Sequence, residues 1–198
     1  MIDTETHYVD QVFEKVSLEQ GRLVSSEFHD CTFDGCSFVE TIFRNCRFVN
    51  SVFRDCDLSL TQVPHCSFTD TRFEKSKVIG VDWTRAHWPA TRLGESIGFF
   101  ECAISHSTFI GLKMPRIQIR DCVAVDVDFR EAGLVGADFA GTDLSESLFL
   151  ATDLTEADLS RARNYQIDPS RNDVTKARFA LPEAMSLLYG LDILLVDE

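Results

Sequence analysis

Residues 31–58 read CTFDG CSFVE TIFRN CRFVN SVFRD CDL, and the spacing inside this stretch decides the fold. A large apolar residue returns at every fifth position: Phe33, Phe38, Phe43, Phe48, Phe53 and Leu58. Two places before each stands a small residue: Cys31, Cys36, Thr41, Cys46, Ser51 and Cys56. The other three places of each unit are mostly polar. A helix repeats every ~3.6 residues and would spread these phenylalanines around its girth; a flat strand repeats every ~2 and would put alternate ones on opposite faces. A period of five fits a repeated turn with two inward side chains per unit, which is a repeat architecture.

The frame extends backwards through Phe28, Leu23, Leu18 and Phe13 to Tyr8, and forwards through Val63, Phe68, Phe73, Val78, Trp83 and Trp88 to Leu93. It fails at Gly98, then resumes one residue later at Phe99 and runs through Ile104, Phe109, Met114, Ile119, Ala124, Phe129, Leu134, Phe139, Leu144, Phe149 and Leu154 to Leu159. Fourteen of the sixteen phenylalanines fall on these 31 centres, which excludes chance placement. The frame implies a single inserted residue within Gly94–Gly98, read as a small corner bulge with Gly94, Glu95 and Ser96 as its loop. The less regular stretch 111–125 predicts a distorted coil.

Units such as ADFAG (137–141), TDLSE (142–146), TDLTE (152–156) and ADLSR (157–161) resemble the pentapeptide-repeat family, whose unit reads A(D/N)LXX. The resemblance implies an all-β, right-handed quadrilateral β-helix of about eight coils, four units to a coil and roughly 35–40 Å long at strand spacing. Four units per coil would stack residues twenty apart. Counting one inserted residue, one column would read Tyr8, Phe28, Phe48, Phe68, Trp88, Phe109, Phe129 and Phe149, aromatic throughout. The expected organisation is an N-terminal cap at 1–12, the β-helix at 13–163, and a C-terminal dimerisation segment at 164–198.

The net charge of −13 argues against direct nucleic-acid binding and suits a basic partner. The start, MIDTETHYVD, is acidic and polar, unlike a signal peptide, and the longest apolar run, near Ile193–Val196, is too short to cross a bilayer. All seven cysteines (Cys31, Cys36, Cys46, Cys56, Cys66, Cys102 and Cys122) stand two places before a centre, so they read as packed, reduced thiols suited to the cytoplasm. Cys36/Cys56, Cys46/Cys66 and Cys102/Cys122 would stack in pairs. No cofactor, metal or enzyme motif is present: GxGxxG, P-loop, HExxH and GxSxG are all missing. Of the histidines, His65 and His106 would share a column but lie two coils apart, roughly 10 Å, too far for one ion.

From Glu131 to Ser160 there are seven acids and no Lys, Arg or His. Together with the acids just before them, Asp126, Asp128, Asp138, Asp143, Glu146, Asp153, Glu156 and Asp158 form the candidate partner-binding surface, with Asp138 stacked on Asp158 and Asp126 beside Glu146. The repeat then gives way to a tail in which Pro182 opens an amphipathic helix of about nine residues. Gly190 ends it, and Asp192–Val196 reads as a strand. So small an element cannot bury its own apolar face, so Met185, Leu188, Leu191, Ile193 and Leu195 need a partner, either the last coil or a second copy of the chain.

In this tail, Asn164–Tyr165, Ile167–Asp168–Pro169, Lys176–Ala177–Arg178–Phe179, Leu181–Pro182–Glu183–Ala184 and Leu187–Leu188 resemble the end of the Qnr-type branch, as do CDLSL (56–60) and VIGVDW (78–83). That branch contains topoisomerase-interacting proteins of the quinolone-, albicidin- and microcin-protection kinds, and the whole chain looks most similar to the albicidin-resistance type. The resemblance implies a non-enzymatic homodimeric rod, joined through its C-termini, that mimics duplex DNA and binds DNA gyrase, and topoisomerase IV with it. Many Qnr proteins extrude two loops tied to quinolone relief; here the frame leaves no room for the first and one residue for the second. The alternative is a non-enzymatic solenoid serving another basic protein.

Overall fold

The computed structural model describes residues 2–88, 97–191 and 193. The described chain is wound from short parallel segments, each paired with the segment one coil on. Tyr8 pairs with Phe28, Phe28 with Phe48 and Phe48 with Phe68 in one sheet. Phe13, Phe33, Phe53 and Phe73 pair in a second. Leu23 pairs with Phe43 on a third side, and the bridges Ser17–Ser37 and Ser37–Asp57 mark a fourth. Four sides with a twenty-residue step make the quadrilateral β-helix that the period of five implies, in about eight coils.

The reason for the period is visible in each unit. The centre and the small residue two before it point inward, and among the described residues from Leu23 to Leu159 both are buried, with Trp88 and Leu112 partly so. The residue two after most of the described centres takes a left-handed backbone, as at Asp30, Asn45 and Asn50, and this turns the corner. Gly35 and Gly80 occupy the same place with φ of 60° and 69°. The small inward residues do more than fill space. The hydroxyl of Thr41 donates to Leu18 O at 2.6 Å, and the thiols of Cys56 and Cys66 donate to Phe33 O and Phe43 O at 3.4 and 3.3 Å. Each such bond ties a coil to the centre of the coil below.

The aromatic centres stack along the axis. Rings of Phe33 and Phe53 lie 4.5 Å apart with planes 9° from parallel, and Phe28 and Phe48 lie 5.1 Å apart at 7°. Such offset contacts add to the burial energy of the rings. Trp83 is fully buried, and Trp88 donates its indole N–H to Trp83 O at 2.8 Å, so the tryptophans belong to the core rather than to an exposed pair.

The structure corrects the size of the insertion. Phe73 pairs with Phe99 and Asp82 with Thr108, a step of 26 residues where every other is 20. His87 still follows the twenty-residue step, since its N–H donates to Cys66 O, and Ile97 already obeys the longer one. Six extra residues, one whole unit and one more, therefore lie between His87 and Ile97. A five-residue period reports an insertion only modulo five, so six looked like one. Gly94, Glu95 and Ser96 lie outside the described residues.

The eight-membered aromatic column is overturned for the same reason. Phe109 stacks on Trp83 at 6.0 Å, and Phe129 and Phe149 follow it there; Tyr8, Phe28, Phe48, Phe68 and Trp88 occupy the neighbouring side. His65 and His106 do not share a column either: His65 N–H meets Arg85 O, whereas His106 follows Gly80.

Four further features differ from expectation. Pairing begins at His7, within the stretch read as a cap, and continues past 163 to Asp158–Leu159 with Arg178–Phe179. Tyr165 and Ile167 are buried, so this last coil closes the core. The stretch 111–125 is regular: Lys113, Gln118 and Val123 each bridge to the next coil, and Ile117 stacks beside Ile97 as a bulkier inward pair. The tail forms a 3-10 turn at Glu183–Met185 running into a helix at Ser186–Tyr189, closed at Gly190. Of the expected strand at Asp192–Val196, only Ile193 is described, and it is not in a strand.

Deleting six residues between His87 and Ile97 should restore a uniform twenty-residue step and leave a cooperatively folded protein. Deleting one should not. Far-UV circular dichroism and thermal unfolding of the two variants check this.

Candidate functional site

The eight acids do not form a single stripe. Asp128, Asp138, Asp143 and Asp153 each precede a centre, and each lies on a different side of the coil, bridging to Leu148, Asp158, Arg163 and Asp173 respectively. Asp138 stacks on Asp158 as expected. Asp126, Glu146 and Glu156 stand at corners with left-handed backbones, and Glu146 follows Asp126 one coil on. The result is a belt of carboxylates around the C-terminal coils.

Most of them have structural partners. The carboxylates of Asp128, Asp138, Asp143, Asp153 and Asp158 each accept the N–H two residues on, at 2.9 to 3.1 Å, so Asp before the centre caps the turn that follows. Cations from the adjoining coils then approach: Arg120 to Asp138 at 3.5 Å, Arg163 to Asp143 at 3.3 Å, Arg178 to Asp158 at 2.6 Å and Lys176 to Glu156 at 3.7 Å. Arg130 meets Asp128 at 2.7 Å, and His106 meets Asp126 at 3.0 Å. Among the described residues, Glu146 and Asp153 carry no ion pair, and neither does Glu131.

Asp143 has the densest shell. Partial burial raises its carboxyl, but the Ser145 hydroxyl, the Asn164 amide, the Ser145 N–H and Arg163 outweigh that and hold it at about 2. Asp128 is held low chiefly by Arg130.

At the C-terminal end, Leu181, Met185, Tyr189, Leu191 and Ile193 are exposed, Leu188 is half-buried, and Leu187 packs back on the core. Leu195 lies outside the described residues. Between this helix and the last coil is a cleft of about 810 Å³ reached by Glu146, Tyr165, Glu183 and Tyr189. Burial, helped by Glu183, pushes the Tyr165 hydroxyl up to about 12.

Two family models match the sequence: "Pentapeptide repeat region" at residues 26–97 and "Pentapeptide repeats (8 copies)" at 132–163, together just over half of the chain. The chain is a pentapeptide-repeat protein. Its fold is similar to that of QnrB1, a plasmid-mediated fluoroquinolone resistance protein. A trypsin-treated form of QnrB1 aligns over 96% of this chain and 100% of its own, with a TM-score of 0.73 and 16% identity. A second trypsin-treated form aligns over 99% and 100% with a TM-score of 0.72, and the full-length form over 94% and 100% with 0.66, both at 16% identity. No curated protein matches by sequence.

All seven cysteines of this pentapeptide-repeat protein are free and buried. In the stacked pairs, the hydrogen bond between the two thiols pushes Cys56, Cys66 and Cys122 up, with burial adding to it, and pulls Cys36, Cys46 and Cys102 down against burial, Cys36 to about 7. Among the described residues no helix is long and apolar enough to cross a membrane. The sequence reading missed one cluster. His7 and His29 flank the stacked centres Tyr8 and Phe28 on opposite sides and converge with Glu27. The signal was present, but comparing histidines only at whole-coil steps passes over a pair 22 residues apart.

Asp143→Asn keeps the turn-capping oxygen and removes the charge. Because the folded carboxyl lies below the ordinary value near 4, its contribution is complete above about pH 4 and is lost as the pH falls through about 2. The variant should be ~1–2 kcal/mol less stable at pH 7 and close to wild type at pH 2, as measured by urea unfolding.

Proposed function

We propose that this protein is a non-enzymatic, cytoplasmic, homodimeric ligand of a type II topoisomerase, DNA gyrase first and topoisomerase IV with it. It would occupy the surface that otherwise holds DNA, and thereby protect or inhibit the enzyme. The observation that carries the reading is the C-terminal end: an acidic belt beside a row of exposed apolar side chains, Leu181, Met185, Tyr189, Leu191 and Ile193, on an element too small to stand alone. A generic solenoid needs neither. Two copies joined there would bring both belts to the middle of a rod roughly 80 Å or more long.

The arrangement of charge suits the role in a particular way. Duplex DNA presents phosphate on all sides, and the acids here surround the coil instead of lining one face. Attraction to a surface built for phosphate would then rest on overall charge, and would weaken with salt. The end-to-end fold likeness to QnrB1 supports the reading. The six extra residues between His87 and Ile97 leave more room for a contact loop than a single residue would, which removes part of the objection to relief of quinolone inhibition. The free, buried thiols suit a reducing compartment. The many ion pairs within the belt favour one other reading, a solenoid for a different basic protein, and the same assay separates them.

In a gyrase supercoiling assay, titration with this protein should alter supercoiling, or rescue it from a quinolone or albicidin, more strongly at low salt than at high. Glu131→Lys with Glu146→Lys, exposed corner residues outside the capping network, should weaken the effect several-fold; an unchanged effect would exclude charge mimicry. Leu191→Asp should yield monomers in sedimentation velocity.

A further inference from the structure

We propose that His7, Glu27 and His29 form a binding site for a divalent transition-metal ion, zinc by its chemistry, that staples the first coil to the second. The site follows from the geometry of the ladder. His7 and Glu27 are direct partners on adjacent strands, His7–Val9 and Glu27–His29, and His29 stands two residues beyond Glu27 on the same outward face. The His7 and His29 rings approach edge to face with centroids 4.9 Å apart. His29 Nε2 is 3.6 Å from a Glu27 carboxylate oxygen, and one ligand atom from each of the three residues lies within 4.8 Å of the others.

Four-coordinate zinc with bonds of about 2.0–2.1 Å holds its ligand atoms roughly 3.4 Å apart. The His29–Glu27 pair already meets that separation. The exposed His7 side chain can close the remaining gap by rotation about its side-chain bonds. Two imidazoles and one carboxylate are a donor set for zinc, cobalt or nickel, not for magnesium or calcium, which take oxygen ligands. Three protein ligands leave a fourth position for water. The site lies on an open outer face with no wall to hold a substrate, so the chemistry available is structural.

Its place in the fold supplies the consequence. The strand at His7–Val9 is the terminal strand of its sheet, bonded on one edge to Glu27–His29 and on the other to nothing within the sheet. Terminal strands open first and template unwanted pairing. An ion held by one ligand from that strand and two from the next would cross-link the open end. Arg47, 4.0 Å from Glu27, is the competing cation, and metal binding would displace it.

The test uses the full chain with any affinity tag removed, stripped with EDTA and titrated with zinc chloride by calorimetry. One equivalent should bind and raise the thermal midpoint. Magnesium chloride should do neither. His7→Ala, Glu27→Gln and His29→Ala, all outside the core, should keep the wild-type circular dichroism and lose at least the ~10–100-fold in affinity that even an outer-shell change costs. Cobalt should give the visible absorption of a four-coordinate centre in the wild type only. No saturable binding in the wild type would overturn the proposal, and so would undiminished binding in the His7→Ala/His29→Ala double variant, because the ion would then sit elsewhere.

Discussion

The bond between one coil and the next is the constraint on which everything else in this protein depends. Parallel segments must sit one strand spacing apart, and the backbone N–H of each unit must find a carbonyl one coil away. That requirement aligns residues at a twenty-residue step and stacks rings at 4.5 to 5.4 Å along most of the axis. It also brings most of the small inward hydroxyls and thiols under a centre's carbonyl. The cysteines therefore serve as hydrogen-bond donors as well as small apolar residues. Their burial keeps all seven thiols away from solvent.

The same constraint explains how six extra residues between His87 and Ile97 are tolerated. Because coils contact only their neighbours, extra residues between two described segments leave the pairing above and below intact when the chain resumes in frame. The ladder resumes at Ile97 with four residues in register against Thr71–Glu74. The price is a shift of one whole side: the C-terminal aromatics Phe109, Phe129 and Phe149 stand over Trp83 instead of Trp88.

Charge is organised by the ladder too. Aspartate before a centre recurs because its carboxylate caps the next turn, and stacking then places like charges one strand apart. Arg163 beside Asp143 and Arg178 beside Asp158 relieve that repulsion from the following coil. The belt is thus structural in origin and acidic in sum. Any partner meets a cylinder with charge on every side, and among the described residues Glu131, Glu146 and Asp153 are the carboxylates of the belt without an ion pair of their own.

The period of five, the inward pairs Cys36/Cys56, Cys46/Cys66 and Cys102/Cys122, and the closing tail helix were legible from residue order, because local spacing alone determines which side chains face inward. The stacking of Asp138 on Asp158 was legible as well, since nothing interrupts the coils between them. Three things were not. A periodic frame cannot distinguish one inserted residue from six, so only the register of Phe73 with Phe99 decided which columns continue. Residues 131–160 contain no cation, yet Arg120, Arg163, Lys176 and Arg178 lie one coil away in space, and only the winding brings them to the acids. His7 and His29 are separated by 22 residues and meet because adjacent strands set positions on either side of a centre next to one another. In each case local chemistry was written in the sequence, while contacts across coils depended on how many residues each turn of the backbone consumed.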